Sequence, residues 1–100
     1  LFGGMQEKSV EQHLTRRVNE LGGRAYKFVS PGNSGVPDRL VCLPGGRVCF
    51  VELKAQGKKP RPLQVAAQKQ LRKLGFTVKT LDSKEQVDEF CEKLKGGDAK

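Results

Sequence analysis

Two short strand-like runs flank a glycine-containing turn, and this pattern constrains the fold more than any other feature of the chain. The runs are Asp38–Leu43 and Arg47–Leu53, and the turn between them is Pro44-Gly45-Gly46. Valine-rich and phenylalanine-containing runs on either side of such a turn predict a β-hairpin. Because an isolated hairpin is only marginally stable in water, other parts of the chain must cover it.

The hairpin fixes which side chains lie opposite each other. The turn pairs Leu43 with Arg47, and each outward step adds one pair until Asp38 lies opposite Glu52. Paired residues have Cβ atoms roughly 5 Å apart and point to the same side of the sheet. Lys54 lies two residues beyond Glu52 and shares that side. The sequence therefore predicts two carboxylates and one amine on the same face.

Helical and extended patterns alternate around the hairpin and indicate the fold class. The predicted elements are a helix capped by Ser9 and ending at Gly22-Gly23, a strand Arg24–Val29, the hairpin, a helix from Pro62 to Leu74, a strand Phe76–Leu81 and a helix from Asp82 or Ser83 to about Leu94. This order predicts an α/β fold with a mixed sheet that is covered on both faces.

The length predicts one domain, over residues 5–95. Residues 1–4 precede the first methionine and are interpreted as an expression remnant, and residues 96–100 as a disordered tail. No segment is long and apolar enough to cross a bilayer, and an odd number of cysteines without CxxC spacing predicts neither disulfides nor a zinc site. The protein is therefore expected to be cytoplasmic, without membrane contact.

Charge is distributed unevenly along the chain, whose formal net charge is +8. Residues 1–81 contain fifteen Lys and Arg against five Asp and Glu, whereas residues 82–100 contain four against six. A basic body favours a polyanionic partner such as nucleic acid, although a merely basic soluble protein is equally compatible with the charge alone. The candidates for phosphate contacts are Lys27, Arg39, Lys58, Lys59 and Arg61.

Facing carboxylates repel each other, and a divalent cation converts this repulsion into attraction. Mg²⁺ takes one or two carboxylates together with water and phosphate oxygens. Asp38 and Glu52 provide the carboxylates, and the carbonyl oxygen of Leu53 is a candidate third ligand. Lys54 is placed to orient a water and to stabilise charge on a phosphate, although a general-base role stays open. These residues predict a metal-dependent nuclease.

Two helical residues are candidates to complete this site. Glu11 borders the apolar stripe of the first helix, where it either faces the site or interacts favourably with the helix dipole. Gln64 lies in the first turn of the second long helix, where it either contacts a water or the DNA backbone or is an ordinary exposed glutamine.

The set formed by Glu11, Pro37-Asp38, Glu52-Leu53-Lys54 and Gln64 resembles the PD-(D/E)XK nuclease superfamily. More narrowly, the chain from Met5 to Leu94 is similar to stand-alone VRR-NUC domains of the phage and bacterial type. The segments that carry this resemblance are Lys27–Asp38, Gly46–Lys54 and Pro62–Gly75.

The resemblance implies a restriction-endonuclease-like core in αβββαβα order and a Mg²⁺- or Mn²⁺-dependent phosphodiesterase. It assigns Asp38, Glu52 and the Leu53 carbonyl as metal ligands, Glu11 as a ligand through water, and Lys54 to the attacking water. Similarity to archaeal Holliday-junction resolvases implies a homodimer that cuts branched DNA, with Ser30 and Ser34 in a loop that contacts the substrate.

Two other functions remain open from the sequence. One is a basic DNA-binding accessory module that does not cleave. The other is a nuclease that acts on flap or single-stranded DNA.

Overall fold

A computed structural model describes residues 6–96 and shows the predicted αβββαβα order. The elements are α1 (Glu7–Glu20), β1 (Arg24–Lys27), β2 (Arg39–Leu43), β3 (Arg47–Leu53), α2 (Pro62–Lys73), β4 (Thr77–Leu81) and α3 (Lys84–Lys95), with one 3₁₀ turn at Pro44–Gly46. The predicted α/β class is confirmed.

The sheet is mixed, with strand order β1-β2-β3-β4. β1, β2 and β3 are antiparallel, whereas β4 lies parallel to β3. Leu43 pairs with Arg47 and Arg39 pairs with Val51, so the predicted hairpin register is confirmed. The next step along this register places Asp38 opposite Glu52.

The hydrophobic core lies between one face of the sheet and helices α1 and α3. The strands contribute alternate residues, such as Val41 from β2 and Val51 from β3, and both are fully buried. The helices contribute stripes at helical spacing, which include Leu14 and Leu94. The remaining core residues are Val10, Val18, Leu43, Cys49, Leu53, Leu81, Val87, Phe90 and Cys91.

The opposite face of the sheet carries the even-numbered residues of β3. Helix α2 packs here against β4, and Gln68 donates a hydrogen bond to Thr80 at 3.0 Å. Phe50 stands between Phe28 and Phe76, with ring centroids 5.8 and 5.4 Å away in edge-to-face geometry. Glu52 follows on the same face, two residues beyond Phe50.

Several element boundaries differ from those predicted. Helix α1 begins at Glu7 rather than after Ser9, because the Ser9 N–H already donates to the Gln6 carbonyl. Strand β1 ends at Lys27. Ser83 caps α3 as predicted, since its hydroxyl accepts a hydrogen bond from the Gln86 N–H.

The predicted remnant at 1–4 and the tail beyond Gly96 lie outside the described residues. Within residues 6–96, no helix has both the length and the apolar character needed to span a membrane.

Candidate active site

Asp38 immediately precedes β2, and a backbone hydrogen bond fixes its carboxylate beside the end of β3. The Leu53 N–H donates to Asp38 Oδ1 at 3.1 Å. The buried Pro37 restricts the backbone just before this residue. Asp38 is therefore held against the strand that carries Glu52 and Lys54.

Glu52 is buried, with 4% of its surface exposed. Its Oε2 accepts a hydrogen bond from Gln64 Nε2 at 3.1 Å. Its Oε1 is a buried polar atom without a hydrogen-bond partner among residues 6–96. Burial raises the pKa of Glu52 to about 7, and the Asp38 carboxylate acts in the same direction, while Lys54 and the Asp38 backbone N–H oppose them. A buried carboxylate with a free oxygen is costly unless a cation or another donor reaches it.

Gln64 is bonded at both ends of its amide. Its Oε1 accepts from the Arg61 N–H at 2.8 Å, which satisfies a backbone donor at the start of α2, and its Nε2 donates to Glu52. Gln64 is also buried, with 6% exposure, so the reading of it as an ordinary exposed glutamine is wrong. The amide connects the N-terminus of α2 to β3.

Lys54 lies beside Glu52, as the register predicted. Its Nζ is 3.7 Å from Glu52 Oε2, and 16% of its side chain is exposed. A partly accessible ammonium at this distance can contact both the carboxylate and an incoming phosphate.

Arg39, which was predicted to contact phosphate, is buried. It is only 8% exposed, because it points from β2 towards α1 rather than into solvent. Its Nη1 lies 3.2 Å from Asp38 Oδ2, and its Nη2 donates to Glu11 Oε2. The assignment of Arg39 as a phosphate contact is therefore corrected, because Asp38 and Glu11 engage its guanidinium. The ion pair between Arg39 and Glu11 explains why Glu11 borders the apolar stripe of α1.

The other predicted DNA contacts lie on the surface around the site. Lys27, Lys58, Lys59 and Arg61 are exposed. Ser34 is exposed and lines, with Arg61, a groove of ≈ 450 Å³ between its loop and the start of α2. The hydroxyl of Ser30 accepts a hydrogen bond from Asn33, so this serine also stabilises its own loop.

The serine loop approaches α2 closely at a glycine that the sequence analysis did not single out. A Cβ atom at Gly35 would lie 2.5 Å from the Leu63 carbonyl oxygen, and its φ of +91° also disfavours other residues. Gly35 therefore lets the loop pack against the turn that carries Gln64.

The donor set fits a divalent metal ion. Among residues 6–96, no group of three or more His, Cys, Asp or Glu side chains is arranged to hold a metal. Two carboxylates are nevertheless sufficient for Mg²⁺, which completes its shell with water and substrate oxygens. The partnerless Glu52 Oε1 next to Asp38 is the observation that supports this fit.

One signal could have revealed the true position of Arg39. Its odd-numbered position on β2 places it on the same face as Val41, which is buried in the core. Glu11 likewise borders a buried stripe on the facing helix. Two opposite charges on facing apolar surfaces are expected to pair, since an unpaired buried charge is costly.

No family model matches the sequence. The chain is 53% identical over 81 residues to "Putative nuclease p44" of Acyrthosiphon pisum secondary endosymbiont phage 1, a match that covers 81% of this chain and 87% of the relative. It is also similar to a solved structure named "VRR_NUC domain", with a TM-score of 0.82 and 38% identity. That match covers 88% of this chain and 96% of the solved chain.

Proposed function

Because the chain belongs to the VRR-NUC family of nucleases, as its sequence predicted, we propose that it is a Mg²⁺-dependent endodeoxyribonuclease that cuts branched, Holliday-junction-like DNA as a homodimer. Mn²⁺ is the alternative ion. The supporting observation is the buried Glu52 carboxylate, which keeps one oxygen without a partner beside Asp38 and Lys54.

Asp38, Glu52 and the Leu53 carbonyl would hold the ion, with Glu11 contributing through water. When bound, the ion would stabilise negative charge on the scissile phosphate and lower the pKa of a water molecule. These residues are oxygen donors of the type that Mg²⁺ prefers.

The protein's own groups provide orientation and charge. Lys54, 3.7 Å from Glu52 Oε2, can direct its ammonium at the attacking water or at a phosphate oxygen. Gln64 keeps Glu52 in place through the 3.1 Å hydrogen bond. The buried position of Glu52 excludes bulk water from one side of the reacting groups, which strengthens electrostatic interactions there.

DNA binding is assigned to the exposed cations around the site. Lys58, Lys59 and Arg61 follow the catalytic strand, and Lys27 lies at the end of β1. The overall charge of +8 favours association with a polyanion. Ser30 and Ser34 lie in the adjoining loop and are candidates for contact with the backbone of the DNA.

The number of sites supports the proposed homodimer. Symmetric incision of two strands requires two catalytic centres, and the described part of one chain contains a single Asp38–Glu52 pair. We expect light scattering at micromolar concentration to give the mass of two chains. The mass of one chain for the free protein, and of one chain plus one junction for the complex with DNA, would contradict paired incision.

The decisive experiment compares cleavage by the wild type, Glu52→Gln and Lys54→Ala. We expect both variants to lose cleavage of a four-way junction in Mg²⁺ while they still bind it, because neither change removes the exposed cations. Glu89→Gln and Lys84→Ala, two exposed positions on α3, are matched controls that should retain cleavage. Cleavage by the site variants would refute the assigned chemistry.

The substrate class is tested in the same assay. Junction, flap, single-stranded and duplex DNA are digested side by side with Mg²⁺ and with EDTA. We expect the junction to be cut fastest and EDTA to stop cleavage. Faster cutting of flap or single-stranded DNA would replace the junction assignment, and no cut product from any substrate would favour a non-catalytic module.

A further inference from the structure

We propose that Arg39 is a positioning residue of the metal site, which orients Asp38 and Glu11 for a divalent ion before the ion binds. This inference rests on the proposed function, since it concerns the same carboxylates. It assigns to the guanidinium a role in ion affinity rather than in DNA contact.

The contacts of Arg39 form a fork that few other side chains could reproduce. Nη1 donates to the Asp38 carbonyl at 2.9 Å and lies 3.2 Å from Asp38 Oδ2. Nη2 donates to Glu11 Oε2. The planar guanidinium of Arg39 therefore connects Asp38, which directly precedes β2, to Glu11 on α1.

The orientation of Asp38 depends on two contacts. The Leu53 N–H of β3 donates to Oδ1, and the Arg39 guanidinium lies 3.2 Å from Oδ2. A carboxylate oxygen has two lone pairs, so each oxygen of Asp38 can still accept one further partner. Without Arg39, repulsion between Asp38 and Glu52 would favour rotation of the Asp38 carboxylate away from its neighbour.

Burial distinguishes Arg39 from an ordinary surface ion pair. With 8% exposure, its charge is largely shielded from water and from salt. Groups that orient metal ligands through hydrogen bonds typically affect metal affinity 10- to 100-fold when they are removed.

The direction of the change in Mn²⁺ affinity distinguishes a positioning role from an effect of charge alone. Removing a positive charge close to a cation site would by itself tighten the binding of Mn²⁺. Loss of orientation would instead weaken it. Lysine preserves the charge but cannot make the bidentate fork, so it isolates the geometric contribution.

The test measures Mn²⁺ binding by titration calorimetry in the absence of DNA. We expect Arg39→Met and Arg39→Lys each to weaken Mn²⁺ binding by about 10-fold or more. The matched control is Arg47→Met, because Arg47 is also partly buried and donates to a backbone carbonyl, that of Leu94, at the opposite end of β3. This control should bind Mn²⁺ as the wild type does.

Each outcome decides the question. Unchanged or tighter Mn²⁺ binding by Arg39→Lys or Arg39→Met would overturn the positioning role. If circular dichroism shows that Arg39→Met does not fold, the result for Arg39→Lys stands alone as the test. If the wild type itself does not bind Mn²⁺, the proposed metal site fails and the inference fails with it.

Discussion

Replacement of Glu52 by glutamine should stabilise the metal-free protein at alkaline pH while it abolishes the proposed activity. Burial raises the pKa of Glu52 from its ordinary value of 4.5 to about 7, and the Asp38 carboxylate adds to this effect. Ionised Glu52 is therefore unfavourable in the folded state. Glutamine resembles the neutral acid in shape and can still accept the hydrogen bond from Gln64.

The size of the effect follows from linkage between protonation and folding. A displacement of the pKa by one unit corresponds to about 1.4 kcal/mol, so a rise from 4.5 to about 7 corresponds to about 3 kcal/mol. Below pH 4.5 both the folded and the unfolded states are protonated, and nothing is lost. Stability falls as the pH rises from 4.5 to 7, because the unfolded chain ionises first, and the full loss persists above pH 7.

Glutamine removes this loss, and the attraction between Glu52 and Lys54 is already included in the net pKa of about 7. We therefore expect Glu52→Gln to raise the free energy of unfolding by up to about 3 kcal/mol at pH 8. At pH 5 most of this gain should be absent.

Urea denaturation in EDTA at pH 5 and pH 8 provides the measurement. Glu89→Gln, at an exposed position of α3, controls for the loss of one negative charge and should change the free energy of unfolding by no more than about 0.5 kcal/mol. A variant that is no more stable than the wild type at pH 8, or equally stabilised at both pH values, would refute the reasoning.

Three further predictions concern the metal site, the Gly35 contact and the exposed lysines. Saturating Mg²⁺, at about 100 times its Kd, should raise the free energy of unfolding of the wild type by about 2.7 kcal/mol but leave Glu52→Gln unchanged, as thermal melts would show. Gly35→Ala should lose about 1–3 kcal/mol more stability than Gly32→Ala, since both glycines have positive φ but only Gly35 abuts the backbone of α2; equal losses in urea denaturation would contradict the clash. With four exposed candidate cations, log–log plots of DNA affinity against salt should have a slope of about −4, and Lys58→Ala with Lys59→Ala should reduce it to about −2; an unchanged slope would exclude that loop.

The sequence was sufficient to predict the hairpin and the facing carboxylates, because both depend on local rules. A short turn and the pleat of a strand determine the register, and the structure pairs Leu43 with Arg47 accordingly. The order of the elements followed from helical and extended periodicity in the same way. Element ends were less accurate, as at Ser9, because backbone hydrogen bonds with Gln6 start the helix before the apparent cap.

The alternation along β2 places Arg39 on the buried face, but the particular partners of Arg39 and Gln64 depend on how the helices dock onto the sheet. No local rule specifies that α1 places Glu11 over the start of β2, or that α2 directs an amide at Glu52. Position 35 likewise requires glycine for a tertiary reason, since a side chain there would clash with the backbone of α2. Tertiary contacts therefore determine the environment of each of these three residues.

Three of the four carboxylate oxygens of Asp38 and Glu52 have polar partners, and the fourth does not. Arg39 and the Leu53 N–H bind the two oxygens of Asp38, and Gln64 binds Oε2 of Glu52. Among the described residues, Oε1 of Glu52 is left without a donor although water is excluded from it. A fold selected for stability alone would place a donor there or replace the acid, because a buried unsatisfied oxygen costs about 1–3 kcal/mol. The proposed divalent cation would supply a partner for this oxygen, because two adjacent carboxylates are donors that such an ion prefers.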